Sequence, residues 1–272
     1  FLGDAWAIQP PYSDVVGHSD WRLHRAELAG VDRRYGSAVL LHTLDRKDRV
    51  LTFGGGKFVS SYGAFCDAHS SVQEFIANGD AADEASTEWR NKTPMLLARQ
   101  HCNAVVLPTG KILIVGGEDI SCNVALDESI PSYEPELYDP GTHETSGSTE
   151  LLARPDNAPG YLVPYSRIYH ALAVLLTDGS VLVMGGETPN PATHQFPDPA
   201  MAVEIFSPPY LFHGQQPTIV TWETMVNFGP GTFTMTAVTS DGPIDRVVLL
   251  RPAALTHHFD TDQRYIELSF TD

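Results

Sequence analysis

A hairpin pattern that recurs along the chain constrains the fold more than any other feature of the sequence. Residues 101–117 read HCNAVVLPTGKILIVGG, and residues 166–186 read SRIYHALAVLLTDGSVLVMGG. Each stretch holds a polar or aromatic residue, small residues, an apolar run, a polar turn, a second apolar run and a Gly-Gly pair. Two β-prone runs joined by a turn such as Thr177-Asp178-Gly179 form a β-hairpin. The turn glycines, Gly110 and Gly179, lie 69 residues apart, and the Gly-Gly pairs fall at 116–117 and 185–186. A looser copy with a longer turn, YGSAVLLHTLDRKDRVLTFGG, occupies residues 35–55. Self-similarity of this kind marks a repeat architecture.

Further strand-like segments follow the two closer copies: PELYDP at 135–140 and VEIFSPP at 203–209. One repeat can therefore supply a four-stranded antiparallel sheet, the unit of a β-propeller blade. The long period leaves room for loops, with 118–134 and 187–201 as candidates. A solenoid would use shorter and more uniform repeats. The shared register puts Tyr35, His101 and His170 at the same place, where each hairpin begins. In a propeller the innermost strands line the axis, so these residues are expected at the axial mouth, where small-molecule sites tend to be built. After residue 212 the pattern changes to short alternating runs, PTIVTW, GTFTMTAV, IDRVVLLR and YIELSF, separated by Gly, Pro and Asp. Such runs predict an immunoglobulin-type sandwich, here partial because a complete one uses about seven strands. The expected division is blades over residues 1–212 and the start of a sandwich over 213–272.

Charge and cysteine usage narrow the function classes. Lys and Arg number 17 against 34 Asp and Glu, a formal net charge of −17. Nucleic acid and anionic membrane surfaces require a cationic face, so neither is an expected partner. No apolar run reaches the roughly 18–20 residues that span a bilayer. The acidic excess reads as a solvated surface. Three cysteines do not make a disulfide framework. Cys102 and Cys122 either pair or remain buried thiols, and both readings stay open. Asn91-Lys92-Thr93 is a glycosylation sequon, compatible with secretion.

The residues resemble a known family. The run VEIFSPPYLFHGQQPTI, with RVVLLRPAALTHHFDTDQRYIELSF after it, is similar to the junction and C-terminal domain of the galactose oxidase and glyoxal oxidase family, the copper radical oxidases. IYHALAVLLTDG resembles the last propeller blade of that family, and LARQHCNAVVLPTGKILIVGG with PELYDP resembles the blade before it. The resemblance covers roughly residues 35–272 and is most specific at 166–186 and 203–271. It implies an all-β protein, a seven-bladed propeller of kelch type with about three C-terminal blades present here, followed by the immunoglobulin-like domain. A loop of that last domain reaches back to the propeller mouth and donates a metal ligand. By position the resemblance makes Tyr169 the axial tyrosine, His170 the first equatorial histidine and His257 the second, around one copper ion. Two imidazoles with oxygen donors suit tetragonal Cu(II). Alcohol oxidation removes two electrons and copper accepts one; a tyrosine cross-linked to a cysteine, oxidised to a radical, takes the other. Tyr169, with an ordinary tyrosine pKa near 10, is the base for the alcohol proton.

The resemblance also implies what is missing. The cross-linked cysteine and tyrosine lie in N-terminal blades, so the radical cofactor is expected outside this chain; none of Cys66, Cys102 and Cys122 sits in a matching context. After the first Gly-Gly pair, where the family carries substrate-contacting residues, this chain has Lys57-Phe58-Val59-Ser60 and no assignable contact. The plainer reading of Tyr169-His170 is a buried pair satisfying backbone groups at a blade end. His258 competes with His257 for the ligand role, which the THHFDTDQR context gives to His257, and His101 reads as structural. The expected function is part of a secreted, extracellular oxidase acting on an alcohol or aldehyde, with O2 reduced to hydrogen peroxide. The alternatives are a non-catalytic propeller that binds glycan or protein, and a structural component of an extracellular assembly. Three blades do not close a propeller, which uses about four to eight. The rest of the same polypeptide, or a partner chain, is expected to complete it.

Overall fold

The computed structural model describes residues 4–9, 22–27, 33–44, 48–59, 64–77, 88–120, 130–142, 145–152, 165–186, 202–224 and 231–271. The described chain is all-β apart from one short 3-10 turn at Pro209–Phe212. None of its helices is long and apolar enough to cross a membrane.

The three repeats form three antiparallel meanders. The first pairs Ser37–His42, Asp48–Phe53, Val72–Ala77 and Glu88–Lys92 in that order. In the second, Asn103–Val106, Ile112–Val115, Glu136–Asp139 and Ser148–Leu151 follow one another. Ala171–Leu175, Val181–Gly185 and Val203–Phe206 make the third. The segments PELYDP and VEIFSP thus hold equivalent third strands, as their spacing predicts. First strands lie beside one another, 37–42 next to 103–106 next to 171–175.

Alternation of side chains explains the two cores. Ala104 and Val106 face the first sheet and pack with Val39, Leu41, Phe53, Ile112, Ile114 and Tyr138. Val105 and Leu107 face the third and pack with Leu113, Val115, Ala173, Val181 and Val183. The inner strands of the middle sheet are therefore buried on both faces and read as unbroken apolar runs. Among the described residues the third sheet is covered on one side, leaving Met184, Val203 and Ile205 exposed.

A repeated contact welds neighbouring sheets. The N–H of Gly55 donates to the Arg99 carbonyl and that of Gly117 to the Arg167 carbonyl, each at 2.7 Å. A Cβ on Gly54 or Gly116 would sit 2.2 Å from the same Arg99 and Arg167 oxygens. Both glycines have positive φ, +56° and +70°. Close approach and left-handed backbone together explain why each repeat ends in Gly-Gly.

Arg99 and Arg167 are fully buried and Arg33 is half-buried, and each uses its side chain in a similar way. Arg99 donates from Nη1 to the Gly116 carbonyl at 2.8 Å and from Nε to Glu136 at 3.1 Å. Arg167 binds the Gly185 carbonyl and Glu204, each at 2.7 Å. Arg33 binds the Gly54 carbonyl at 3.0 Å, but its third-strand partner is the neutral Gln73 at 3.1 Å.

The C-terminal segments form strand pairs, as expected of a partial immunoglobulin-like domain, and one pair also reaches the first repeat. Thr218–Trp222 pairs with Met235–Val238 as a separate two-stranded sheet. Val247–Arg251 and Arg264–Leu268 instead form a hairpin that joins the first repeat, with Arg264–Leu268 running parallel to Ser37–His42 through Tyr265↔Leu41 and Ile266↔His42. Tyr265 enters the first core, and Val248 and Leu250 pack against it. Between these two strands a smaller hairpin, Leu255–Thr256 with Phe259–Asp260, lies against the first strands of all three repeats.

Candidate functional site

Tyr35, His101 and His170 occupy one register position, and all three have left-handed backbone, φ +59°, +59° and +64°. Such values are uncommon outside glycine, with histidine among the residues that adopt them most often. Each of these residues makes the sharp entry into its first strand. The hairpin tip repeats the device: His257 (φ +49°) and His258 (φ +58°) are the two loop residues between Thr256 and Phe259. Positive φ at both central positions is the type I′ requirement, which Asn-Gly satisfies most cheaply. Two histidines there carry a backbone cost that turn formation does not explain.

Six aromatic rings converge. Tyr169 and His170 have ring centres 3.8 Å apart, and His170 and His257 are separated by 4.9 Å. Tyr169 lies 6.0 Å from His257 and 5.1 Å from His101. On the other side of Tyr169, His258 sits 5.0 Å from His101 and 5.9 Å from Tyr35, which contacts His101 at 4.4 Å. The structure therefore brings Tyr169, His170 and His257 together although His257 lies 87 residues further along the chain. The order of neighbours separates the adjacent histidines: His257 faces His170, whereas His258 faces His101.

Burial divides the cluster. His170 and His257 are exposed, Tyr169 is half-buried, and His101 and His258 are buried. The Thr256 hydroxyl contacts Nδ1 of His257 at 2.6 Å, leaving Nε2 for another partner. Glu118 accepts from Nδ1 of His101 at 2.8 Å. Burial lowers the pKa of His258 to about 3, helped by His101, His257 and His170 nearby, so its ring is neutral at physiological pH.

Gln263 fastens the hairpin. Its Oε1 accepts the Val106 N–H at 2.7 Å, and its Nε2 donates to the Ala104 carbonyl at 3.2 Å. A side-chain amide thus serves the free edge of the middle sheet as a further strand would. Arg246 adds a bond to the Thr109 carbonyl at 2.6 Å. Neither role was visible in sequence, although Gln263 stands within the THHFDTDQR run.

Other sequence candidates fall elsewhere. Cys102 is a free, fully buried thiol whose pKa burial raises to about 11. Cys122 lies outside the described residues, as do the loop stretches 121–129 and 187–200. Lys57 pairs with Asp67. Among the described residues no three His, Cys, Asp or Glu side chains gather closely enough to hold a metal ion. A metal at this cluster would therefore rest on the imidazoles with phenol oxygens. Two neutral-capable imidazoles beside a phenol are a chemically suitable donor set for Cu(II).

Repeated meanders, an appended hairpin and an imidazole–phenol cluster define an all-β protein of the galactose oxidase-like class. Residues 23–210 match the family described as glyoxal oxidase N-terminus, and residues 216–272 match the galactose oxidase-like early set domain. The chain belongs to the glyoxal oxidase and galactose oxidase family. It is 28% identical to a galactose oxidase of Gibberella zeae over 246 residues, 89% of this chain and 32% of that protein. It is 29% identical to an aldehyde oxidase of Vitis pseudoreticulata over 267 residues, 91% of this chain and 47% of the relative. Among solved structures, a fungal alcohol oxidase in complex with copper superposes with a TM-score of 0.71 at 25% identity, covering 93% of this chain and 48% of that one. The chain thus spans between about a third and a half of the length of these relatives.

Proposed function

We propose that this chain carries C-terminal propeller blades and part of the following domain of a copper radical oxidase, with Tyr169, His170 and His257 as its contribution to one copper site. The observation that carries this reading is the delivery of His257, on a strained hairpin tip, to a ring distance of 4.9 Å from His170 beside Tyr169. The reaction is oxidation of an alcohol or aldehyde with O2 reduced to H2O2; for a primary alcohol, RCH2OH + O2 gives RCHO + H2O2. Copper held by these residues would supply one oxidising equivalent, and a Cys-Tyr radical, expected outside this chain, would supply the second. His170 and His257 hold their nitrogens in place from two separate parts of the fold. Tyr169, beside His170, would be the side chain placed to take the alcohol proton.

The proposal extends to architecture and location. The exposed apolar face of the third sheet, with Val203 64% exposed, supports further blades supplied by the rest of the polypeptide or a partner, toward seven in all. A boundary near residue 212 separates blades from the early set domain. An exposed Asn91 in its sequon supports an extracellular protein. The test is peroxide production by the whole copper-loaded protein against galactose, glyoxal, methylglyoxal and simple alcohols. Substrate-dependent peroxide that is lost in Tyr169→Phe supports the proposal; no peroxide from any of these, in a copper-loaded protein, refutes it.

A further inference from the structure

The cluster contains a second pair of imidazoles that the proposed copper site does not use. We infer that His101 and His258 form a second transition-metal site, beside the first and on the opposite side of Tyr169. The inference goes beyond the copper site proposed above and does not depend on its radical chemistry.

Four observations carry it. The ring centres of His101 and His258 are 5.0 Å apart with planes at 72°, nearly the separation of His170 and His257, 4.9 Å at 61°. Two imidazoles bound to one ion at about 2.0 Å place their ring centres roughly 4.5–6.3 Å apart, depending on the angle at the metal. Next, Nδ1 of His258 is buried without a hydrogen-bond partner, in a residue only 5% exposed. A buried polar atom left unpaired calls for an occupant. Third, the Nδ1 hydrogen bond of His101 to Glu118 is the arrangement that fixes metal-binding histidines, with a carboxylate orienting the ring and leaving Nε2 as the lone-pair donor. Finally, His258 holds a positive φ of 58° in a tight turn, where glycine would cost less.

The Tyr35 ring borders the pair, 4.4 Å from His101 and 5.9 Å from His258. Imidazole donors with no thiolate favour copper, zinc or nickel over calcium or magnesium. Such an ion would tie His101, from the second repeat, to the tip of the C-terminal hairpin.

Zinc is the probe, because it binds imidazole and is redox-silent. Titrate the whole, metal-free protein with Zn(II) by calorimetry, and count bound metal by mass spectrometry after gel filtration. The wild type should bind two ions. His258→Ser and His101→Phe should each bind one, and His170→Ala should lose the other. Glu118→Gln keeps all four imidazoles and should weaken only the second ion, by about 10–100-fold, the usual effect of removing a carboxylate behind a histidine ligand. This variant guards against misfolding in the ring replacements, because its first site reports intact structure. A single ion in the wild type, retained in His258→Ser and lost in His170→Ala, overturns the second site while leaving the copper proposal standing. A single ion retained in His170→Ala and lost in His258→Ser would leave the second pair standing and refute the first.

Discussion

Replacing Arg99 by methionine should be far more damaging than the same replacement at Arg33, although the two occupy equivalent places in adjacent repeats. Arg99 is fully buried and binds Glu136 through Nε and through Nη2, at 3.1 and 2.9 Å. Glu136 is itself fully buried and also accepts the N–H groups of Leu96 and Leu97 at 2.7 and 3.2 Å. Arg99→Met strands that carboxylate without a countercharge, a change that costs about 3–5 kcal/mol when a buried pair is broken. At Arg33 the side-chain partner is Gln73, so Arg33→Met leaves carbonyls and an amide short of a donor but no orphaned charge. Unsatisfied neutral groups cost about 1–3 kcal/mol, and water reaches this half-buried site. Moreover, burial lowers the Arg33 pKa to about 10. Desolvation of that charge therefore offsets part of what its hydrogen bonds contribute. Urea unfolding of the whole protein, followed at constant m, measures both variants. Adding Glu136→Gln to Arg99→Met removes the stranded charge and should recover at least half of the loss. An Arg33→Met variant as unstable as Arg99→Met, or a double variant no better than the single, would refute the reasoning.

Three further outcomes follow from the geometry. Gly116→Ala should destabilise by more than about 2 kcal/mol, because its Cβ would meet the Arg167 carbonyl at 2.2 Å in left-handed backbone, whereas Gly231→Ala, with nothing within 4 Å, should stay within about 0.5 kcal/mol of wild type in thermal unfolding. Gln263→Ala should cost about 1–3 kcal/mol by leaving the Val106 N–H and Ala104 carbonyl unpaired, and should weaken copper binding by loosening the hairpin that carries His257, read by competition with a copper chelator. His257→Gly should raise the melting temperature of the metal-free protein, by relief of the positive φ worth roughly 1 kcal/mol, while weakening copper binding.

Much of this fold was legible because it is local and repeated. The apolar hairpins at 101–117 and 166–186 announce themselves by composition, and the shared register puts His101 and His170 on one position, which the backbone marks with the same left-handed turn. These arginines were missed because the offset shifts: Arg33 and Arg99 stand two residues before the turn residue and Arg167 three. Their partners Gln73, Glu136 and Glu204 lie on third strands, a contact that no periodicity reports. The parallel pairing of Arg264–Leu268 with Ser37–His42 was also hidden, since alternating strands such as YIELSF suit a sandwich as well as an added edge, and only tertiary packing decides. The Leu255–Asp260 hairpin escaped notice because its strands are two residues long and its turn is His-His in place of Asn-Gly. His170 and His257 were assigned as ligands through family resemblance; spacing alone gives no reason for residues 87 apart to meet.

The central claim is that His170 and His257 hold the same copper ion, and pulsed EPR of the whole protein with less than one equivalent of Cu(II) tests it most directly. The wild-type spectrum should show couplings from two imidazole nitrogens at the tightest site. In a His258→Ser background, which removes the second imidazole pair, His257→Ala should reduce this to one, with a loss of copper affinity of at least tenfold, and His170→Ala should do the same. Two imidazole couplings and unchanged affinity on adding His257→Ala to that background would contradict the account.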